Sequence, residues 1–135
     1  MTEVVRAATW RRTGITNVKQ VIWTGLDADD SGADALLAKF ADKTVQVKGT
    51  FGGATVTIYG SEDKTEVEAD LAAGTLFGSK TATYAILTDT TETNLAVTAA
   101  TKAAILQNPL YIRPVVTGGD GTTSITVTIT AKRTV

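Results

Sequence analysis

The stretch that most constrains what this chain can become is its last quarter, Asn108 to Lys132. After the cluster Gly118-Gly119-Asp120-Gly121-Thr122-Thr123 the residues alternate strictly. Ile125, Val127, Ile129 and Ala131 share one face, and Ser124, Thr126, Thr128, Thr130 and Lys132 share the other. A period of two with β-branched residues on both faces describes a strand buried on one side. The glycines tolerate positive φ, so the chain can reverse tightly. The segment is therefore expected to be a hairpin. Pro114 interrupts its first strand and predicts that this strand lies at an edge or carries a bulge.

Similar patterns recur upstream. Asn17 to Thr24 reads as a strand with Lys19, Val21 and Trp23 on one face and Val18 and Ile22 on the other. Lys43 to Thr50, with Val45 and Val47 inward, is followed by Phe51-Gly52-Gly53 and then by Ala54 to Gly60, with Val56 and Ile58 inward. These two are expected to form a second hairpin. Thr81 to Thr88 and Thr93 to Thr98 supply a fourth and a fifth strand. In the fourth, Ala82, Tyr84 and Ile86 oppose Thr81, Thr83 and Leu87. Helical turns are expected at Ala33 to Phe40, packing Leu36, Leu37 and Phe40 inward, at Glu66 to Ala73, and at Thr101 to Gln107, which Asn108-Pro109 ends. Six or seven short strands separated by Gly, Asp and Thr turns indicate an all-β sandwich, jelly-roll-like.

At 135 residues the chain is read as one domain, long enough to bury about two-thirds of its unfolded surface without a staple. Residues 17–135 form the β-sandwich domain, and residues 1–16 an extended N-terminal arm. With aromatics at only 6%, the core must come from Val, Ile, Leu and Ala, while 26 threonines suit the wet faces of sheets.

The chain has no cysteine and no histidine. Disulfides, thiolate nucleophiles, the commonest general base and the commonest metal ligand are thereby excluded. A net charge of −1 gives no overall field to recruit nucleic acid. No apolar run reaches the length of a membrane span. The first residues contain no signal-peptide h-region, so export by a Sec-type route is not expected.

Three motifs invite chemistry and fall short of it. Asp27, Asp29, Ser31 and Gly32 match the opening of a calcium loop, but Ala38 stands where the closing Glu is needed, so a solvated acidic turn is expected. Gly52-Gly53 lacks the Lys-Ser/Thr ending of a phosphate loop. Glu62, Asp63, Glu66, Glu68 and Asp70 crowd Ser61 to Lys80, yet nothing there specifies the cleft that a pair of glycosidase carboxylates requires. This segment is read as a long surface excursion.

The N-terminal segment is basic, with Arg6, Arg11 and Arg12 against Glu3. It reads either as a partly disordered terminus or as an extended arm or edge strand. Trp10 argues for docking, because a tail gains nothing from so large an apolar side chain. Trp and Arg are the residues most enriched at interface hot spots, so Arg6, Trp10, Arg11 and Arg12 are the candidate interface residues. The alternative is that Trp10 packs on its own sandwich and the arginines are solvated.

Two blocks, Phe40 to Asp63 and Gln107 to Thr123 with the strand after it, resemble small virion structural proteins of tailed bacteriophages. The type they are most similar to is the β-sandwich head decoration, or cement, protein. This chain departs from that pattern between Asp63 and Lys80, where its excursion is longer and Tyr84 takes the place of a Trp. The resemblance implies a non-enzymatic protein without cofactors. Its partner would be the major capsid protein, which it would bind as a homo-oligomer, dimer or trimer. It would sit on the capsid surface of a virion assembled in the host cytoplasm, with no nucleic-acid or membrane partner. Gly60-Ser61-Glu62-Asp63 also resembles a turn of jelly-roll sugar-binding modules. A carbohydrate- or receptor-binding module of a tail or fibre is therefore the second expectation, marked by an exposed platform drawn from Trp10, Trp23 and Tyr59.

Overall fold

In the computed structural model, residues 3–15 and 17–133 are described. Twelve strands run in chain order: β1 (Val5–Arg6), β2 (Thr9–Arg12), β3 (Val18–Leu26), β4 (Ser31–Gly32), β5 (Ala35–Leu36), β6 (Asp42–Thr50), β7 (Thr55–Ser61), β8 (Ala85–Ile86), β9 (Ala96–Val97), β10 (Thr101–Ile105), β11 (Tyr111–Thr117) and β12 (Ser124–Lys132). Helix α1 (Lys64–Ala73) and a 3₁₀ turn at Phe77–Ser79 lie between β7 and β8. One sheet has the order β10-β6-β12-β3-β2; the other runs β1-β4-β11-β7-β8, with β5 also on β11 and β9 also on β7. This is the expected all-β sandwich. The alternating residues supply its core: Val21, Trp23, Val45, Val47, Val56, Ile58, Ile125, Val127 and Ile129 are all buried in one cluster.

Neither expected hairpin forms. β12 pairs with β6 and β3, whereas β11 pairs with β7 on the opposite sheet. β6 and β7 are split in the same way. Each Gly-rich turn is thus an arch that carries the chain across the sandwich, and the two arches lie side by side. Thr123, at the end of one, donates its hydroxyl to the Phe51 carbonyl of the other at 2.9 Å. A Cβ at Gly52, whose φ is +57°, would lie 2.4 Å from Asp120 Oδ1, so glycine there serves both the conformation and the close approach. An alternating strand needs a partner edge and a buried face, and it can find its partner edge in a distant strand as readily as in its neighbour.

Pro114 lies inside its sheet, not at an edge. It is opposite Ile58, whose N–H and C=O are engaged by Leu95 and Leu87 on the far side. On its own other side the neighbouring strand is broken, since β5 pairs up to Ile112 and β4 resumes at Val115. The missing donor faces that gap. Gly32 makes the close packing there possible, because a Cβ on it would meet Trp23 Cδ1 at 2.6 Å and Pro114 Cδ at 2.7 Å.

Two expected helical turns are extended. Ala33 to Phe40 contains β5, with Leu37 and Phe40 buried but Leu36 turned outward. Thr101 to Ile105 is a strand along β6, where pairing overrides the helical preference of its alanines. The third segment is helical. α1 begins at Lys64, earlier than Glu66, because Asp63 caps it by accepting from the Glu66 amide at 3.0 Å. Gly74 closes it in the left-handed conformation. The strands expected at Thr81–Thr88 and Thr93–Thr98 shrink to β8 and β9, and in the first of them Leu87 is buried while Ile86 is exposed.

The Ser61–Lys80 excursion covers the outer face of the seven-stranded sheet. Val67 and Ala82 pack on Tyr111 with Tyr84 and Leu110 at their margin. This is why every residue of β11 from Tyr111 to Val116 is buried, on both faces.

Candidate functional site

The N-terminal segment is extended, as expected, but it is laid onto the sandwich. β1 runs parallel to β4, and β2 pairs antiparallel with β3 from Thr9↔Ile22 to Arg12↔Lys19. Among the described residues β2 is therefore the last strand of its sheet, and one of its backbone edges is open. Trp10 lies opposite Val21, which points into the core, so Trp10 and Arg12 point to the inner side at the mouth of the sandwich. Thr9 and Arg11 point to the other side.

That mouth is a cleft of about 640 Å³. Trp10, Ile15, Leu36 and Phe40 give it apolar walls, and Arg12, Lys19, Lys39 and Arg133 rim it. Among the described residues its lining holds no carboxylate and none of these four cations is in an ion pair. Trp10 is 48% exposed, Leu36 48% and Ile15 66%. Such side chains are the material of protein contacts. Of the four interface residues expected from sequence, the structure brings Trp10 and Arg12 together here. Arg11 projects from the opposite face of β2. Arg6 is engaged inside the molecule, with Nε 2.8 Å from Asp30 and Nη2 3.3 Å from Asp27; the Asp30 hydrogen bond raises its pKa further. Lys19, Leu36 with Lys39, and Arg133 come from three separate segments, and nothing local in the sequence marks those segments as neighbours.

Behind this edge, Glu3 ties the N-terminal segment to the sheet and to the excursion. Glu3 accepts from the Ser31 hydroxyl at 2.7 Å and from the Phe77 amide at 2.6 Å. Ser31 in turn accepts from Arg113 Nη2 at 2.8 Å. Arg113 is wholly buried, lies 4.9 Å from the centroid of Phe77, and has Nη1 3.6 Å from Asp34. Asp34 also receives the Tyr84 hydroxyl at 2.9 Å and has Lys80 at 3.7 Å. Burial raises the Asp34 pKa against the pull of these cations, and burial beside Arg113 lowers that of Lys80. This cluster is a tie between elements: its groups face one another and Arg113 is closed to solvent.

The other sequence motifs are also spent internally. In the turn at Asp27 to Gly32, Asp30 accepts from the amides of Val4 and Asp27 as well as from Arg6, and Asp29 accepts from the Gly118 amide at 2.7 Å. These oxygens organise a junction between the N-terminus and the arches. Among the described residues no three metal-ligating side chains converge. A second hollow, of about 810 Å³, contains Glu62 and Asp63, but the first receives the Leu110 amide and the second caps α1. The aromatic platform does not assemble, because Trp23 is fully buried and Tyr59 packs on Phe77 at 5.0 Å.

Comparison with solved structures shows a shared fold. The SPBc2 prophage-derived protein YomS superposes with a TM-score of 0.56 over 89% of this chain and 98% of that one, at 13% identity. The IMPa metallopeptidase from Pseudomonas aeruginosa, bound to an O-glycopeptide, gives 0.42 at 10% identity, over 87% of this chain and 12% of that one. The FeII enzyme HppE gives 0.36 at 9% identity, over 85% and 43%. Likenesses as distant as these last two carry no argument. No family model and no curated protein matches the chain.

Proposed function

We propose that this chain is a non-enzymatic virion structural protein of a tailed bacteriophage, which decorates the outside of the head and grips the major capsid protein through the open edge at β2. The observation that carries the reading is the cleft of Trp10, Leu36 and Phe40 with its basic rim, whose cations have no ion-pair partner among the described residues. An apolar floor with a charged rim fits a protein surface. The fold shared with a prophage-derived protein supports a phage setting, as does the sequence resemblance of the Phe40–Asp63 and Gln107–Thr123 blocks. The action is one of mass balance: a protein that binds the assembled shell better than its alternatives stabilises that shell.

The test is biochemical analysis of purified particles. The expected result is this chain at a fixed ratio to the capsid protein, with particles lacking it losing their genome at lower temperature. Particles of the parent phage that contain none of it would overturn the proposal.

A further inference from the structure

The cleft at β2 has chemistry that narrows its occupant. Its backbone edge is open, its floor is apolar, and its four rim cations have no carboxylate partner among the described residues. Edge strands are commonly protected by charge, and Arg11 and Arg12 alone would fit that role. Protection does not account for Trp10. Nor does it account for Ile15 and Leu36 being exposed on the same cleft. Trp10 and Ile15 belong to the N-terminal segment and Leu36 to a later one, and the fold gathers them beside the edge strand β2.

We infer that the cleft binds an extended acidic segment of a partner protein, one alternating carboxylate with aliphatic side chains, laid along β2 as an added strand. Backbone bonds to β2 would hold it, and its alternate side chains would divide between floor and rim. The aliphatic set covers Trp10 and Leu36, while carboxylates meet Arg12, Lys19, Lys39 and Arg133. A second copy of this chain is the poorer occupant. Pairing β2 with itself places four arginines on one short ribbon and sets one basic rim against another. Nucleic acid would answer the charge and leave the aliphatic floor wet, since among the described residues Trp10 alone offers an exposed aromatic side chain there.

This inference rests on the proposed role as a protein-docking module and is tested separately from it. The probes are a ten-residue synthetic peptide alternating glutamate with valine and leucine, its lysine counterpart, and oligothymidylate. Binding to the full chain is read by tryptophan fluorescence, and strand addition by hydrogen exchange of the β2 amides. The glutamate peptide should bind, slow exchange in β2, and lose at least about tenfold in affinity to Arg12→Glu with Lys39→Glu, two exposed positions. The lysine peptide should ignore the natural chain and gain about tenfold on the reversed one. No glutamate-peptide binding at about 1 mM, equal binding to the reversed chain, unprotected β2 amides, or tighter binding of oligothymidylate would each overturn it. A chain found on particles that fails the peptide test loses only this inference. A chain that binds the peptide and is absent from particles loses only the proposed role.

Discussion

Because the chain has no cysteine, an engineered pair can report which strands are neighbours. Gln46 and Thr128 lie opposite each other on β6 and β12, both between buried neighbours and so both pointing outward. Directly opposed antiparallel residues have Cα atoms about 4.5–5.5 Å apart, within the range a disulfide spans. The two positions are about 80 residues apart in sequence, and cross-linking a loop of that length removes about 4.5 kcal/mol of unfolded-state entropy at most, of which about 2–4 is commonly realised. Gln46→Cys with Thr128→Cys should oxidise readily and raise the urea midpoint, and a reductant should reverse the gain. Val115→Cys with Thr126→Cys is the contrasting pair, opposed if β11 and β12 formed a hairpin. In the arches these residues belong to different sheets, so that pair should stay reduced. Ready oxidation of the second pair and failure of the first would refute the crossing topology.

Three further outcomes follow from the packing. Asp34→Ala leaves Arg113 and Lys80 buried without their carboxylate, and urea unfolding should show a loss of about 3–5 kcal/mol. Val127→Ala, at a wholly buried position of β12, should cost about 1–3 kcal/mol, and a change under about half a kcal/mol would place that face outside the core. The Thr122 hydroxyl and amide hold the Asp120 pKa below its ordinary 3.8, so the unfolded chain takes up that proton first, and the stability it lends above 3.8 is lost as pH falls. Burial of Asp34 acts in the opposite sense. The readable quantity is therefore the difference between the natural chain and Asp120→Asn, whose melting temperature should fall less steeply below about pH 4.

Sheet-forming residues were legible in the sequence because alternation is a local signal. Spacing alone places Ile125, Val127 and Ile129 in the core, and they are fully buried. Strand partnership was not legible, since β12 has the same pattern whether its neighbour is β11 or the distant β6. Pro114 misled for a related reason. Its missing N–H mattered only if a continuous strand lay beside it, and the gap between β4 and β5 is a property of the whole sheet. Thr101–Ile105 reads as helix from composition and becomes a strand because β6 offers an edge. The candidate site was half visible. Trp10 and Arg12 stood out by residue type, while Leu36, Lys39, Lys19 and Arg133 join them only through folding. Arg6 stood out equally and belongs elsewhere, because Asp30 is buried beside it.

The central claim, that this protein grips a shell through the cleft at β2, is tested most directly by contact mapping on intact particles. A photoreactive amino acid replaces Leu36 in the cleft, or Leu106 on the far edge of the same molecule, 48% and 49% exposed respectively. After irradiation, mass spectrometry identifies what each position has joined. The account predicts that position 36 cross-links to acidic, extended segments of the capsid protein while position 106 yields little. Cross-links to the capsid from position 106 with none from position 36 would contradict it.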